Sequence, residues 1–230
     1  MRRPAFMFAG ALLIGGLMAA QEPTPVPEIT GADQLVKEKG RFRETWVRPD
    51  VDITQYSKLL VWQPAFEFRE VGEARGGETT SKLLNTGGGF AIREEDRQKF
   101  AEIVSDAFVK ELERSKMFQV VEEVGPNTLI VRSGVLDIVS DVPPPYTGTS
   151  DIYLSSVGQA TLVFQLIDAE TGVIQATAGE RRQIQPRGRG HMVSNIPISE
   201  NTVWIEVERW ARQAAQDLRR ELEKARTKAQ

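Results

Sequence analysis

Two rhythms of hydrophobic and polar positions run along this chain. Phe100, Ile103, Val104, Ala107, Phe108 and Leu112 recur at steps of three and four, the stripe of a helix that buries one face. Glu94, Glu95 and Asp96 lead into it, where the helix dipole favours acids. Opposite charges at Glu95/Lys99 and Asp106/Lys110 lie one turn apart and fit its wet side. Val203, Val207, Trp210, Ala211, Ala214, Leu218 and Leu222 predict a second helix over about residues 201–224, braced by Glu208/Arg212.

The other rhythm has a period of two. Ala160, Leu162, Phe164 and Leu166 alternate with Gln159, Thr161, Val163 and Gln165, which predicts a strand with one apolar face over 158–167. The 168–172 stretch Asp-Ala-Glu-Thr-Gly turns tightly into a partner strand over 173–184, so the two form a hairpin. Further strands are expected over 117–124 and 129–142, separated by the turn Gly125-Pro126-Asn127. Leu59 to Trp62, with Phe66 and Phe68, make another strand, and Pro64 marks a bulge or edge because proline cannot donate to a ladder. Residues 69–91, with six glycines, and 186–200 read as mobile loops. The order strand, helix, four strands, helix predicts an α+β fold: a mostly antiparallel sheet of about five strands with two helices packed on one face.

The amino terminus changes the picture. Arg2 and Arg3 are followed by an uncharged run to Ala20, then by Gln21 and a proline series, the layout of a secretory signal peptide over residues 1–20. Residues 21–45 are aperiodic and proline-bearing and read as a flexible tether, with a single α+β domain over 46–226. Cleavage after Ala20 would put Met18 where a small side chain is preferred, so an uncleaved N-terminal membrane anchor is the alternative. The expected location is periplasmic or secreted. Losing Arg2 and Arg3 takes the 29 basic residues to 27 against 32 acidic ones, and the formal charge from −3 to −5. That balance argues against nucleic-acid binding, which requires neutralising many phosphates. The chain has no cysteine, so packing alone must hold the fold, and thiol nucleophiles and thiolate metal sites are excluded.

Trp46, Asp52, Tyr56 and Lys58-Leu59-Leu60-Val61 resemble the opening of a bacterial envelope family, domain-of-unknown-function family 3313. Gly125-Pro126 with Leu129 and Arg132, the Asp168 to Gly172 hairpin, and Trp204 with Trp210-Ala211 follow in matching order. The likeness runs from about Thr45 to Leu222. It implies an exported protein, often lipid-anchored in that family, with no established activity. It also implies a fold similar to the small α/β domains of the curli-secretion lipoprotein and of the outer-membrane activators of penicillin-binding proteins. This chain lacks the lipobox cysteine, so no lipid anchor is expected. The resemblance brings no catalytic residue.

Candidate chemistry is sparse. His191 is the sole histidine and lies in a basic loop, and one imidazole without thiolates cannot build a multi-histidine zinc site. Gly87-Gly88-Gly89 is followed by Phe90 and Ala91, not by the lysine and hydroxyl residue of a phosphate loop. Asp137 and Asp141, with Glu67, are the acids a carboxylate-dependent hydrolase would use. Asp50 and Asp52 lack the terminal Glu of a calcium loop. Trp204 and Trp210 are expected in core packing. Arg181, Arg182, Arg187 and Arg189 form a basic cluster suited to carboxylate or phosphate, and are the expected partner-binding loop. These observations lead to the expectation of a non-catalytic envelope binding module without cofactor or metal. Its partner would be an envelope protein or an anionic envelope polymer. The competing expectation is a hydrolase of a cell-wall polymer.

Overall fold

The computed structural model describes residues 27–71, 89–143, 153–186, 196–197 and 199–229. The expected leader, most of the two glycine-rich and basic loops, and His191 lie outside them. Among the described residues no helix is long and apolar enough to cross a membrane.

The strands are β1 (Val36–Lys37), β2 (Glu44–Val47), β3 (Lys58–Val61), β4 (Ala65–Phe68), β5 (Gln119–Val121) and β6 (Thr128–Ser140). β7 (Tyr153–Leu154), β8 (Gly158–Asp168), β9 (Ile174–Ile184) and β10 (Ile196–Pro197) follow, and the helices are α1 (Glu94–Leu112) and α2 (Glu200–Ala229). Eight strands form one sheet in the order β1-β2-β9-β8-β6-β3-β5, with β4 also paired to β6; β7 and β10 pair separately.

The α+β class and the two helices are as expected, but the sheet is larger and mixed. β3 runs parallel to both β5 and β6, and β4 parallel to β6, while β6, β8, β9 and β2 are successively antiparallel. The cause is α1, which carries the chain from the end of β4 back to the start of β5; a helical crossover delivers parallel neighbours. Pro64 falls in the break that divides the expected single strand into β3 and β4. Residues 27–45, expected as tether, carry β1 and the start of β2, and Phe42 is only 3% exposed, its ring 5.2 Å from that of Phe164. β1 and β2 are short and lie among charged residues, without the run of apolar side chains that marks β3 and β4.

Alternation decides which side each residue serves. Leu129, Val131 and Val135 of β6 and Ala160, Leu162 and Phe164 of β8 share one core with Phe100, Val104 and Phe108 of α1 and Val207, Trp210 and Leu218 of α2, so both helices cover the same face. Residues one step out of phase, Leu60, Ile130, Ile167 and Ile174, form a smaller cluster on the reverse face, covered by Ile29, Leu35 and Val124. At the 168–172 turn, Asp168 Oδ1 accepts from the backbone N–H of Glu170 and Thr171, and Gly172 takes φ 72. Its other oxygen accepts from the Tyr56 hydroxyl at 2.7 Å.

The helix pair is tied by charge as well as by apolar packing. Glu111, 1% exposed, accepts from Arg219 of α2 at 3.1 Å and from Arg114 at 2.8 Å, the pairing a buried carboxylate requires. Asp106 and Lys110 pair at 3.1 Å as expected, whereas Lys99 reaches across to Glu200 at 3.0 Å and Glu95 pairs with Arg93.

Phe164, 1% exposed and stacked between Phe42 and Phe108, is the side chain on which strand and helix layers converge. Phe164→Ala should destabilise the domain by about 3–5 kcal/mol, the cost of a large buried aromatic. Urea unfolding followed by circular dichroism checks this.

Candidate functional site

The acids named from the sequence do not converge on a catalytic pair. Asp137 sits in a β-bulge of β6, where the register against β8 shifts between Leu136 and Val139. Its φ is 51, a left-handed conformation that Asp and Asn adopt more readily than most residues. Arg69 grips it with two parallel bonds of 2.6 Å, and Arg181 Nη1 adds a third at 2.6 Å. The hydrogen bond from Arg69 holds the Asp137 carboxyl below its ordinary range; partial burial opposes this, and Arg181 reinforces it. A carboxylate so held stays charged and has no proton to give. Asp141 is half-buried, its backbone N–H donating to the Val157 carbonyl, and Glu67 is exposed on β4. Asp52 turns its carboxylate inward onto Thr54, accepting from its backbone N–H at 2.9 Å. Among the described residues no group of three or more His, Asp or Glu side chains could hold a metal ion.

The basic cluster is divided by the sheet. Arg181 and Arg182 are neighbours in β9, so their side chains leave on opposite faces. Arg182 points to the helices, where it pairs with Asp217 of α2 and with Glu180, both at 2.9 Å, and lies over the Phe42 ring. It ties β9 to α2. Arg181 is exposed on the helix-free face. Its Nε donates to Gln159 Oε1 at 3.2 Å, and its Nη1 to Thr161 Oγ1 at 3.1 Å besides Asp137. Arg187, Arg189 and His191 lie outside the described residues.

The structure assembles on that face something the sequence did not announce. Arg132, Gln165, Thr177, Trp46 and Lys37 stand in one cross-strand row over β6, β8, β9, β2 and β1. Trp46 is 40% exposed, its ring 5.7 Å from the Lys37 ammonium, which pairs with Glu44 at 2.6 Å. Arg132 is exposed and makes no ion pair among the described residues. The next row of the same face runs Ala65, Gly134, Val163, Gly179, Glu44, and the one beyond holds Leu136, Thr161 and Arg181. Alternation in the sequence marks Gln159, Thr161, Val163 and Gln165 as one face, but it cannot say which residues of other strands stand beside them.

Elsewhere, a concavity of about 340 Å³ opens between the amino-terminal ends of the two helices, the end of β6 and the start of β8. Phe68, Phe100, Ile138, Val157, Val203 and Trp204 give it an apolar wall. Trp210 is buried in the core and Trp204 packs against it from this cleft, consistent with the packing roles expected of both. At the rim, Lys99 holds the Glu200 carboxyl below its ordinary range.

Asp137 makes a pH prediction. Its folded pKa lies below the unfolded value of 3.8, so the stability it contributes is present above that value and is lost as pH falls through the folded pKa. Asn tolerates the same backbone conformation. Asp137→Asn should therefore lower the urea midpoint at pH 7, and the gap to the parent should close as pH drops below about 4.

Solved structures match the chain at low identity. A DUF330-family protein from Xanthomonas campestris is 14% identical, with a TM-score of 0.44 over 80% of this chain and 90% of that one. A putative neuraminyllactose-binding hemagglutinin homolog from Helicobacter pylori is 13% identical, with a TM-score of 0.39 over 76% and 86%. A PelC dodecamer from Paraburkholderia phytofirmans is 11% identical, with a TM-score of 0.35 over 80% and 96%. No functionally curated protein matches the chain. A family model does match, over residues 28–186, the whole of the eight-stranded sheet and all of α1, and by that match the chain belongs to the protein family of unknown function DUF3313.

Proposed function

We propose that this protein is an exported cell-envelope module that binds a partner without catalysing a reaction, and that it does so with the helix-free face of its sheet. The observation that carries the proposal is the contrast between the two sets of polar residues. Asp137, one of the acids a hydrolase would use, is committed to two arginines. Arg132 and Trp46, by contrast, stand exposed in one row of a face that no helix among the described residues covers. Side chains used for chemistry need pKa values near the working pH, and the shift at Asp137 runs the other way. Export is supported by the layout of residues 1–20, with Arg2 and Arg3 ahead of an uncharged run.

Expression of the whole chain in a bacterial host, followed by fractionation and intact mass, tests the location. The expected product is about 20 residues shorter than translated and lies outside the cytosol; uncut chain in the cytosol would refute it. The same purified product, incubated with peptidoglycan, should release no soluble fragments. Release that disappears in Asp141→Asn or Asp137→Asn would establish the hydrolase instead.

A further inference from the structure

We infer that the helix-free face is a docking site for an acidic polysaccharide, laid across the strands between the Arg132–Trp46 row and Arg181. The inference rests on the binding role proposed above and names the class of partner.

Charge comes first. The chain as a whole is acidic, with a formal charge of −3, whereas this face sets Lys37, Arg69, Arg132 and Arg181 against Glu44, Asp137 and the exposed Glu67. Glu44 is taken up by Lys37, and Asp137 by Arg69 and Arg181 together. Arg132 adds a cation with no ion pair among the described residues. Arg181 is held in place by Asp137, Thr161 and Gln159 through its Nε and Nη1. Arg132 and Arg181 lie two strands apart, so their projections along a line crossing the strands differ by roughly 10 Å. Arg132 presents a guanidinium unpaired among the described residues, and Arg181, held through Nε and Nη1, keeps Nη2 for a partner, so two guanidinium groups are available to carboxylates repeated along a polymer.

The floor between them fits the same occupant. Gly134 and Gly179 flank Val163 in one row, in the middle of long strands. Neither has a positive φ, and an added Cβ would meet nothing nearer than 3.5 Å at Gly134 or 3.6 Å at Gly179. Internal packing therefore does not call for glycine at either position. A mid-strand glycine costs roughly 0.5–1 kcal/mol and often marks close approach by a ligand. With Ala65 beside Gly134, the row forms a shallow floor crossing the strands, between walls of longer side chains.

Those walls distinguish the class of partner. Gln165, Thr177 and Thr161 offer donors and acceptors for hydroxyl groups. Trp46 offers a flat indole with apolar area and an N–H, suited to the face of a sugar ring. A protein partner would call for a connected apolar patch, and apart from Trp46 and the half-buried Leu136 the members of the two walls are polar or charged. A nucleic acid would call for many more cations than this face carries.

The test uses the full exported chain in affinity electrophoresis through gels containing polygalacturonate, alginate or hyaluronate, with dextran and poly-glutamate gels as comparisons. At least one acidic polysaccharide should retard the protein, less so as salt rises. Trp46→Ala and Arg132→Ala should each weaken that retardation at least tenfold with an unchanged Tm, since both side chains are exposed. Absence of retardation by all three acidic polysaccharides would overturn the inference, as would retardation that neither variant affects. Equal or stronger retardation by poly-glutamate, lost in Arg132→Ala, would overturn the polysaccharide while leaving a binding module in place. Fragment release from peptidoglycan would instead defeat the binding reading itself.

Discussion

With both described helices on one side, every strand of the sheet has a face that no helix among the described residues covers, and this one-sidedness governs the rest of the structure. In β6 and β8 the apolar phase is fixed by contact with α1 and α2. The intervening residues are consigned to the opposite face whatever their chemistry. Near the 168–172 turn, that reverse face is apolar and is roofed by Ile29, Leu35 and Val124. Farther along the strands it becomes polar and open. The bulge at Asp137 serves the same constraint: one extra residue lets Ile138 return to the helix side after Leu136 has faced outward.

Charges follow the same division. Arg182 and Arg181 have the same side chain and adjacent positions, and the sheet gives them different work. Arg182 joins β9 to α2 through Asp217 in a partly buried pair, while Arg181 steadies the bulge and remains exposed. Glu111, between the helices, has Arg219 and Arg114 for company and adds a directional contact to an otherwise apolar interface. Tyr56 fastens the segment before β3 to the hairpin through Asp168, which also shapes the turn. Burial pushes the Asp168 carboxyl up, but the hydrogen bonds from Tyr56, Thr171 and Glu170 together outweigh it and hold the group below its ordinary range.

Much of this was legible in the chain itself. Both helices, the β8–β9 hairpin and its Asp168 turn are long or chemically marked, and periodicity and turn residues reveal such elements directly. β1 and β2 are short and lack a run of apolar side chains, and Phe42 is a single aromatic in a charged context, so the beginning of the fold passed for a tether. Strand direction was also hidden. It depends on where α1 returns the chain, a relation between β3, β4 and β5 that no local pattern carries. At the candidate site, the polar phase of β8 could be read, and Arg181 was named. Trp46, Arg132 and the two mid-strand glycines become neighbours only through the register of four strands, which sequence spacing does not encode. Arg181 and Arg182 both fall in the strand expected over 173–184, whose alternation already puts them on opposite faces; grouping them as one basic cluster followed charge and overlooked the pleat.

The central claim is that the helix-free face, and not the apolar cleft between the helix ends, meets the partner. Amide and indole chemical shifts of the isotope-labelled domain, followed during titration with an acidic oligosaccharide, test it most directly. The account predicts changes at the Trp46 indole N–H and at the amides of Arg132, Val163, Gln165 and Gly179. Changes confined to Phe68, Val203 and Trp204, or none at saturating oligosaccharide, would contradict it.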